Sequence, residues 1–303
     1  MKTAALIIAA GLPKCEGAPA AMYEVGAVSS AQRVIATFQK AGVSPIFLVT
    51  DESTKRLEKL LSSSSVLFMR FEGSSLDCAQ KAIVSLPQHY DRLILCTADR
   101  PLLMPETVTE LLNCRGDIVQ PCCKGKEGPL CLLSMAAAEE LCAETTAKTL
   151  SAALSKLGFE KHSPELGDTG LLTAPRKAVS DELLLEKHQN SLMRPKVEIA
   201  VSGEQNIFDG RLIKLLRQVE LLRSVRAACE MSGMSYSIAW NLLNAAEARL
   251  GYALVDRNQG GRSGTGTELT EKGKRMLTSY QGFEVAMQQK VEELYKDCFD
   301  GII

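Results

Sequence analysis

The sequence predicts an α/β fold in two parts. Residues 1–192 should form a mostly parallel, three-layer sheet domain, and residues 196–303 an all-α winged helix-turn-helix domain with a long C-terminal dimerisation helix. Three observations carry this. Short apolar runs trade places with helical patterns from residue 3 to residue 134, which calls for parallel strands with helices on both faces. Two short helical patterns, each opened by a serine and closed by a glycine, occupy 224–251. After Thr270, apolar residues recur at steps of three and four to Cys298, the spacing of one long amphipathic helix.

The elements follow in order. Residues 3–10 form a continuous apolar run, expected of a strand covered on both faces, and a glycine turn follows. A helix over 30–41 turns Val34, Ile35 and Phe38 inward and ends at Gly42. Strands are then expected over 45–50, 66–71, 92–97, 117–121 and 130–134, with helices over 53–61, 75–85 and 105–113. Residues 136–157 read as helical, best from Thr149, and 159–190 as short strands and a last helix over 180–190. A boundary is expected over 191–196, where a helical pattern gives way to a polar segment with Pro195. Ligands of such sheets sit beyond the carboxyl ends of the strands, here 10–17 and 97–103.

In the second part Ser224 caps a short alanine-rich helix, Gly233 breaks it, and Ser235 caps a second helix that ends at Gly251. Residues 253–255 and 267–269 read as two strands joined by a glycine-rich, basic tip, a wing. In the second helix Ala239, Leu242, Leu243, Ala246 and Leu250 share one face, leaving Ser237, Asn241 and Asn244 on the other. An apolar face anchors such a helix while short amides and hydroxyls reach base edges in a major groove. Ser235, Tyr236, Ser237 and Asn241 are therefore the base-side candidates. Arg257 and Arg262 in the wing would hold the DNA backbone or minor groove, and Arg226 and Lys272 phosphates. Trp240 is expected to pack between helices.

Charge agrees locally. The chain carries a formal −1 over 303 residues, yet 209–282 holds 11 basic against 7 acidic residues, a surplus of 4. Basic charge is thus gathered where phosphates would lie. Met276, Tyr280, Phe283, Met287, Val291, Leu294 and Cys298 form a stripe suited to a partner helix, so a homodimer is expected. The ten cysteines predict a reducing, cytoplasmic setting. The apolar run at the start is too short to cross a membrane and is stopped by Gly11 and Pro13.

Two resemblances sharpen these expectations. Residues 224–277 resemble the DNA-binding domain of molybdate-responsive ModE-type regulators, on G-M-S-Y-x-x-A-W (233–240), G-G-x-x-G-x-G (260–266) and L-T-x-x-G (269–273). Residues 195–208 resemble the strand and turn that open that domain. The resemblance shows no counterpart to the family's molybdate-binding barrel domains in these residues, so any sensing role is expected in the first domain.

Residues 3–190 resemble the MobA-like nucleotidyltransferases, on A-A-G-L (9–12), R-V-I-x-x-F (33–38), G-S-S-L (73–76) and A-D-R-P-L-L (98–103). The resemblance implies a nucleotide held by Ala10, Gly11, Leu12, Lys14, Ser75 and Asp99, with Mg²⁺ on Asp99. It also shows departures. Cys15 and Ala20 stand where the family has the arginine and lysine that neutralise the triphosphate, and Glu16 adds a negative charge. Pro129 replaces a common histidine, and Thr173 and Ala174 occupy the region of a second metal-binding aspartate. Losing one charge-stabilising contact costs about 10²- to 10³-fold in rate, so transfer activity is expected to be weak or absent.

Structural readings stand beside these. Asp99 could cap the helix after Pro101 or Pro105, Ser74 and Ser75 could serve as a helix N-cap, Lys14 could be a solvated loop charge, and His89, His162 and His188 share no motif. The leading expectation is a DNA-binding transcriptional regulator of molybdenum-cofactor or molybdoenzyme metabolism whose first domain senses a nucleotide or pterin. The alternatives are an active CTP- or GTP-dependent molybdenum cofactor nucleotidyltransferase that doubles as a regulator, and a regulator whose first domain binds another protein.

Overall fold

Three large aliphatic residues close a run without charge, and they form β1 (Thr3–Ile8), buried throughout beyond Thr3. The chain then turns at Gly11 and folds back in a small hairpin, β2 (Lys14–Cys15) against β3 (Ala18–Pro19). β1 lies between two parallel strands, β4 (Ile46–Thr50) and β6 (Arg92–Thr97), pairing Ala5 with Ile46 and Thr3 with Arg92. β5 (Leu67–Arg70) borders β4, β7 (Ile118–Val119) pairs with β8 (Leu130–Ser134) and β9 (Lys161–His162), and β8 runs antiparallel to β6. The seven-strand order is therefore β9-β7-β8-β6-β1-β4-β5. This computed structural model describes residues 2–62, 65–87, 89–195, 197–202, 206–256 and 266–299. The chain divides into two compact units, Met1–Leu61 with Phe68–Met193, and Ser62–Leu67 with Arg194–Ile303.

Helices cover the first sheet because their apolar residues recur on one side. α1 (Ser30–Lys40) starts from a capping box between Ser29 and Gln32 and buries Val34, Ile35 and Phe38. α2 (Arg56–Leu60) is shorter than the 53–61 expected, since Asp51 accepts the Thr54 N–H and holds the preceding residues in a turn. α3 (Ser75–Ser85) begins at a second capping box, Ser74 with Asp77, and α4 (Pro105–Asn113) begins at Pro105. The helical stretch expected over 136–157 is broken in two, α5 (Met135–Ala143) and α6 (Leu150–Leu154). The Glu144 carboxylate accepts the N–H groups of Thr146 and Ala147, at 2.6 and 2.9 Å, and turns the chain away from the helix axis. The last helix also divides: α7 (Pro175–Ser180) stops where Asp181 caps α8 (Glu182–Ser191).

The second unit opens with a hairpin, β10 (Ala200–Ser202) and β11 (Asn206–Asp209). A helix absent from the sequence reading follows, α9 (Gly210–Leu222), capped by Asp209 and buried at Leu212, Ile213, Leu215, Leu216 and Val219. It is the floor on which the rest packs. α10 (Val225–Ser232) and α11 (Tyr236–Leu250) have the caps read from the sequence: Ser224 and Ser235 accept N–H groups of Ala227 and Ile238, while Gly233 and Gly251 take φ of 64° and 73°. β12 (Val255–Asp256) pairs with β13 (Glu268–Leu269). The tip of the wing, with Arg257 and Arg262, lies outside the described residues. α12 (Glu271–Phe299) ends the described chain.

Candidate functional site

In the first unit the carboxyl ends of β1, β4 and β6 converge. Ala9 and Ala10 donate backbone N–H groups to the Val49 carbonyl, and Ala98 donates to that of Ile8. Gly11 comes against the first turn of α3: a Cβ there would stand 2.5 Å from the Ser75 nitrogen and the Gly73 oxygen. Gly11 also needs its positive φ of 63°, a conformation easy only for glycine. Ala10 and Gly11 thus lie beside Ser75, and Leu12 continues the turn half-buried. Lys14 is exposed in β2. Of the two serines, Ser74 is the N-cap of α3 and Ser75 its first residue.

The polar groups at this strand end are already occupied by one another. The Thr97 hydroxyl donates to Asp99 Oδ1 at 2.6 Å, and Arg100 Nη1 pairs with Asp99 Oδ2 at 2.8 Å. Asp99 caps no helix, since α4 starts from Met104 without a side-chain cap. Asp51, just past β4, was not singled out in the sequence, although it lies beyond the end of a central strand as the other candidates do. It accepts the Gly11 N–H at 2.8 Å through Oδ2 and the Ser53 and Thr54 hydroxyls and the Thr54 N–H through Oδ1. Burial opposes its ionisation, but these hydrogen bonds outweigh burial and hold the carboxyl below its ordinary value.

The loop that bears the departures folds into the β2–β3 hairpin. Cys15 is half-buried in it, and Ala20 is buried in the short turn that follows. Glu16 at its tip accepts from the Tyr23 hydroxyl at 2.9 Å and pairs with Arg176 of α7 at 3.3 Å. Asp168, a carboxylate ahead of the 171–182 segment, is buried and accepts from the Met104 N–H, the Thr107 hydroxyl and the Gly170 N–H. It staples α4 to the chain before α7. Among the described residues no group of three His, Cys, Asp or Glu is arranged to hold a metal ion.

One histidine is buried behind the site. Arg33 Nη1 donates to His188 Nδ1 at 3.4 Å, so the ring proton sits on Nε2 and faces the Leu103 carbonyl at 3.1 Å. Burial first, then the Arg33 charge, push the imidazole down to about 4. It is a neutral packing group. The ten cysteines are all free thiols, six of them buried, which is the use expected of small apolar side chains.

In the second unit α11 is anchored through Ala239, Leu243 and Ala246, buried against Leu216, Val219, Leu254 and Leu277 in one core. Ser235, Tyr236, Ser237, Asn241 and Asn244 are exposed. Trp240 is half-buried and packs on that core, with the Tyr236 ring edge-on at 5.9 Å. Arg226 is exposed on α10, and Lys272 on α12 lies 4.9 Å over the Tyr252 ring. The L-T-x-x-G block has a mechanical reason. Thr270 accepts the Gly273 N–H and donates to the Ala253 carbonyl, and a Cβ on Gly273 would stand 2.3 Å from the Leu254 oxygen.

A mostly parallel sheet with this strand order, followed by a helix-turn-helix and its wing strands, defines a nucleotidyltransferase-like fold joined to a winged helix-turn-helix module. The chain belongs to the family of the MobA-like NTP transferase domain, whose model matches residues 5–162. Residues 211–274 match the bacterial regulatory helix-turn-helix proteins of the lysR family. Among curated proteins, the transcriptional regulator ModE of Yersinia pestis is 31% identical over 106 residues, 35% of this chain and 40% of that protein. The DNA-binding transcriptional dual regulator ModE of Escherichia coli K12 is 30% identical over the same shares. The chain thus spans about two-fifths of the length of these relatives. Among solved structures, a nucleotidyl transferase from Methanothermobacter thermautotroptrophicus aligns with TM-score 0.51 and 14% identity over 63% of this chain and 98% of that one. CMP:2-keto-3-deoxy-manno-octonic acid synthetase complexed with CTP aligns equally well, over 63% and 100%. At that identity the likeness is one of fold. No helix of the described residues is long and apolar enough to cross a membrane.

Proposed function

We propose that the protein is a DNA-binding transcriptional regulator of molybdenum-cofactor or molybdoenzyme metabolism, whose nucleotidyltransferase-fold unit senses a nucleotide or pterin and does not transfer nucleotides. The observation that carries the reading is α11, capped at Ser235, anchored by Ala239, Leu243 and Ala246, and presenting Ser235, Tyr236, Ser237 and Asn241 to solvent. Its N-terminal turn and exposed face supply the hydroxyl and amide groups that read base edges. Arg226 and Lys272 supply phosphate contacts, and Arg257 and Arg262 would extend them along the wing. The helix-turn-helix family match over 211–274 supports the same role for this part of the chain, and the ModE relatives support a regulator.

The strand-end site of the first unit favours sensing over chemistry. Nucleotidyl transfer relies on positioned cations around the phosphates, whereas here Asp99 is bound by Thr97 and Arg100, and Asp51 takes up the Gly11 N–H. Asp99 paired with its neighbouring guanidinium, and Asp51 occupied by the Gly11 N–H, do not fit a divalent ion. Ala10, Gly11, Leu12, Lys14 and Ser75 remain the residues against which a nucleotide or pterin would rest.

A homodimer through the distal half of α12 completes the proposal. Leu277 and Tyr280 are buried in their own unit, but Phe283 and Leu294 are 48% and 59% exposed along the same stripe. Two such stripes packed together bury these residues and give a two-fold reader for a pseudo-palindromic site.

Genomic footprinting tests the regulator, with protection upstream of genes for molybdenum handling as the expected result. Incubation with CTP or GTP, Mg²⁺ and a molybdopterin acceptor tests the enzyme, and sustained pyrophosphate release would overturn the sensing assignment. A sensed nucleotide at 100 times its dissociation constant should stabilise the protein by about 2.7 kcal/mol in a thermal-shift assay.

A further inference from the structure

The first turn of α11 carries two large apolar side chains that face solvent: Tyr236 is 54% exposed and Ile238 is 49% exposed. Neither is a loose end. Ser235 caps the helix by accepting the Ile238 N–H at 3.3 Å, which makes Ile238 the third residue of the helix. Tyr236 is braced edge-on by Trp240, which packs on the core of its unit. The remaining exposed residues of the helix as far as Ala245 are Ser237, Asn241, Asn244 and Ala245. None of them is charged. The face therefore lacks the cations that grip phosphate and suits the floor of a groove, while Arg226 and Lys272 lie on neighbouring helices.

In the major groove only thymine presents a methyl group, and it is recognised by apolar contact. We infer that Ile238 is a specificity residue for thymine, its side chain packing on the C5-methyl group with Tyr236 as the adjoining wall. The inference rests on the DNA-binding reading and adds to the polar candidates Ser235, Ser237 and Asn241 a residue that reads shape and hydrophobicity. It makes each operator half-site carry a thymine opposite the first turn of α11.

The test uses the full chain and duplexes enriched by it from a random-sequence library. Each thymine is replaced singly by deoxyuridine, which lacks only the methyl group. One position per half-site should weaken binding about fourfold, the worth of one buried methyl group. In Ile238→Ala that thymine and deoxyuridine should bind alike, while Ile238→Val should restore part of the difference. Because the side chain is solvent-exposed, both variants should keep the wild-type melting temperature. A thymine preference undiminished in Ile238→Ala, or no methyl effect at any position of a duplex that is bound, would overturn the inference and leave the DNA-binding reading standing. Absence of any enriched duplex would overturn both.

Discussion

Single residues decide what the strand-end site can do. Arg100 beside Asp99 places a fixed positive charge at the end of β6, and Asp51 takes up the Gly11 N–H at the turn after β1. Behind them, His188 gives the first unit a pH response. Its folded pKa of about 4 lies below the ordinary value near 6.5, so the unfolded chain binds the extra proton between those limits. Stability should be full above pH 6.5 and fall as pH drops toward 4, by up to roughly 3 kcal/mol. Denaturant titrations of wild type and His188→Gln across that window check this, and the variant should show a shallower slope than wild type, the remainder coming from His89 and the hydrogen-bonded carboxylates. In the second unit Gly273 has no room for a side chain because the Leu254 oxygen faces its Cα. Gly273→Ala should cost about 1–3 kcal/mol, read as a lower urea midpoint for that unit.

At the scale of the element, α11 is two surfaces on one cylinder. Its buried face fixes the helix, which frees the other face to be varied without loss of fold. Asn241→Ala should weaken binding to the selected operator by about 1–3 kcal/mol and relax preference at one base position. Lys272→Ala should instead weaken all sequences alike and lower the salt-dependence slope by about one. Fluorescence anisotropy over a salt series, on cognate and scrambled duplexes, separates the two. Most of this element was legible in the sequence, because caps at Ser224, Ser235, Gly233 and Gly251 and a 3.6-residue apolar period are local signals. The strand and turn expected over 195–208 stop short of α9, although Asp209 and the leucines after it spell a capped amphipathic helix. The break between α5 and α6 was hidden for a different reason. Glu144 is an ordinary helix former, and only its carboxylate folding back on Thr146 and Ala147 ends the helix.

For the molecule as a whole, one family fold and one helix-turn-helix module share a chain, and the proposed dimer depends on α12. Replacing Phe283 and Leu294 by glutamate should turn a dimer into a monomer in sedimentation velocity at micromolar concentration. The circular dichroism spectrum should be unchanged, because both residues are exposed within one copy. Operator affinity should fall with the loss of the second half-site, while non-specific binding should fall less. A wild-type chain that sediments as a monomer at that concentration would refute the dimer.

The sequence by itself determined the two fold classes, the caps of α10 and α11, the buried face of α11, the wing strands, and the departures at Cys15, Ala20 and Pro129, since each is written in spacing of two, three or four residues or in a short motif. Only the tertiary structure decided the fate of the charges. That Asp99 is neutralised by Arg100, that Asp51 reaches Gly11 across 40 positions, that Asp168 is a staple, and that Ile238 stands uncovered all depend on which strand ends and helix turns come together. Hydrogen bonds and ion pairs act over a few ångströms between residues far apart in the chain, and periodicity carries no record of them.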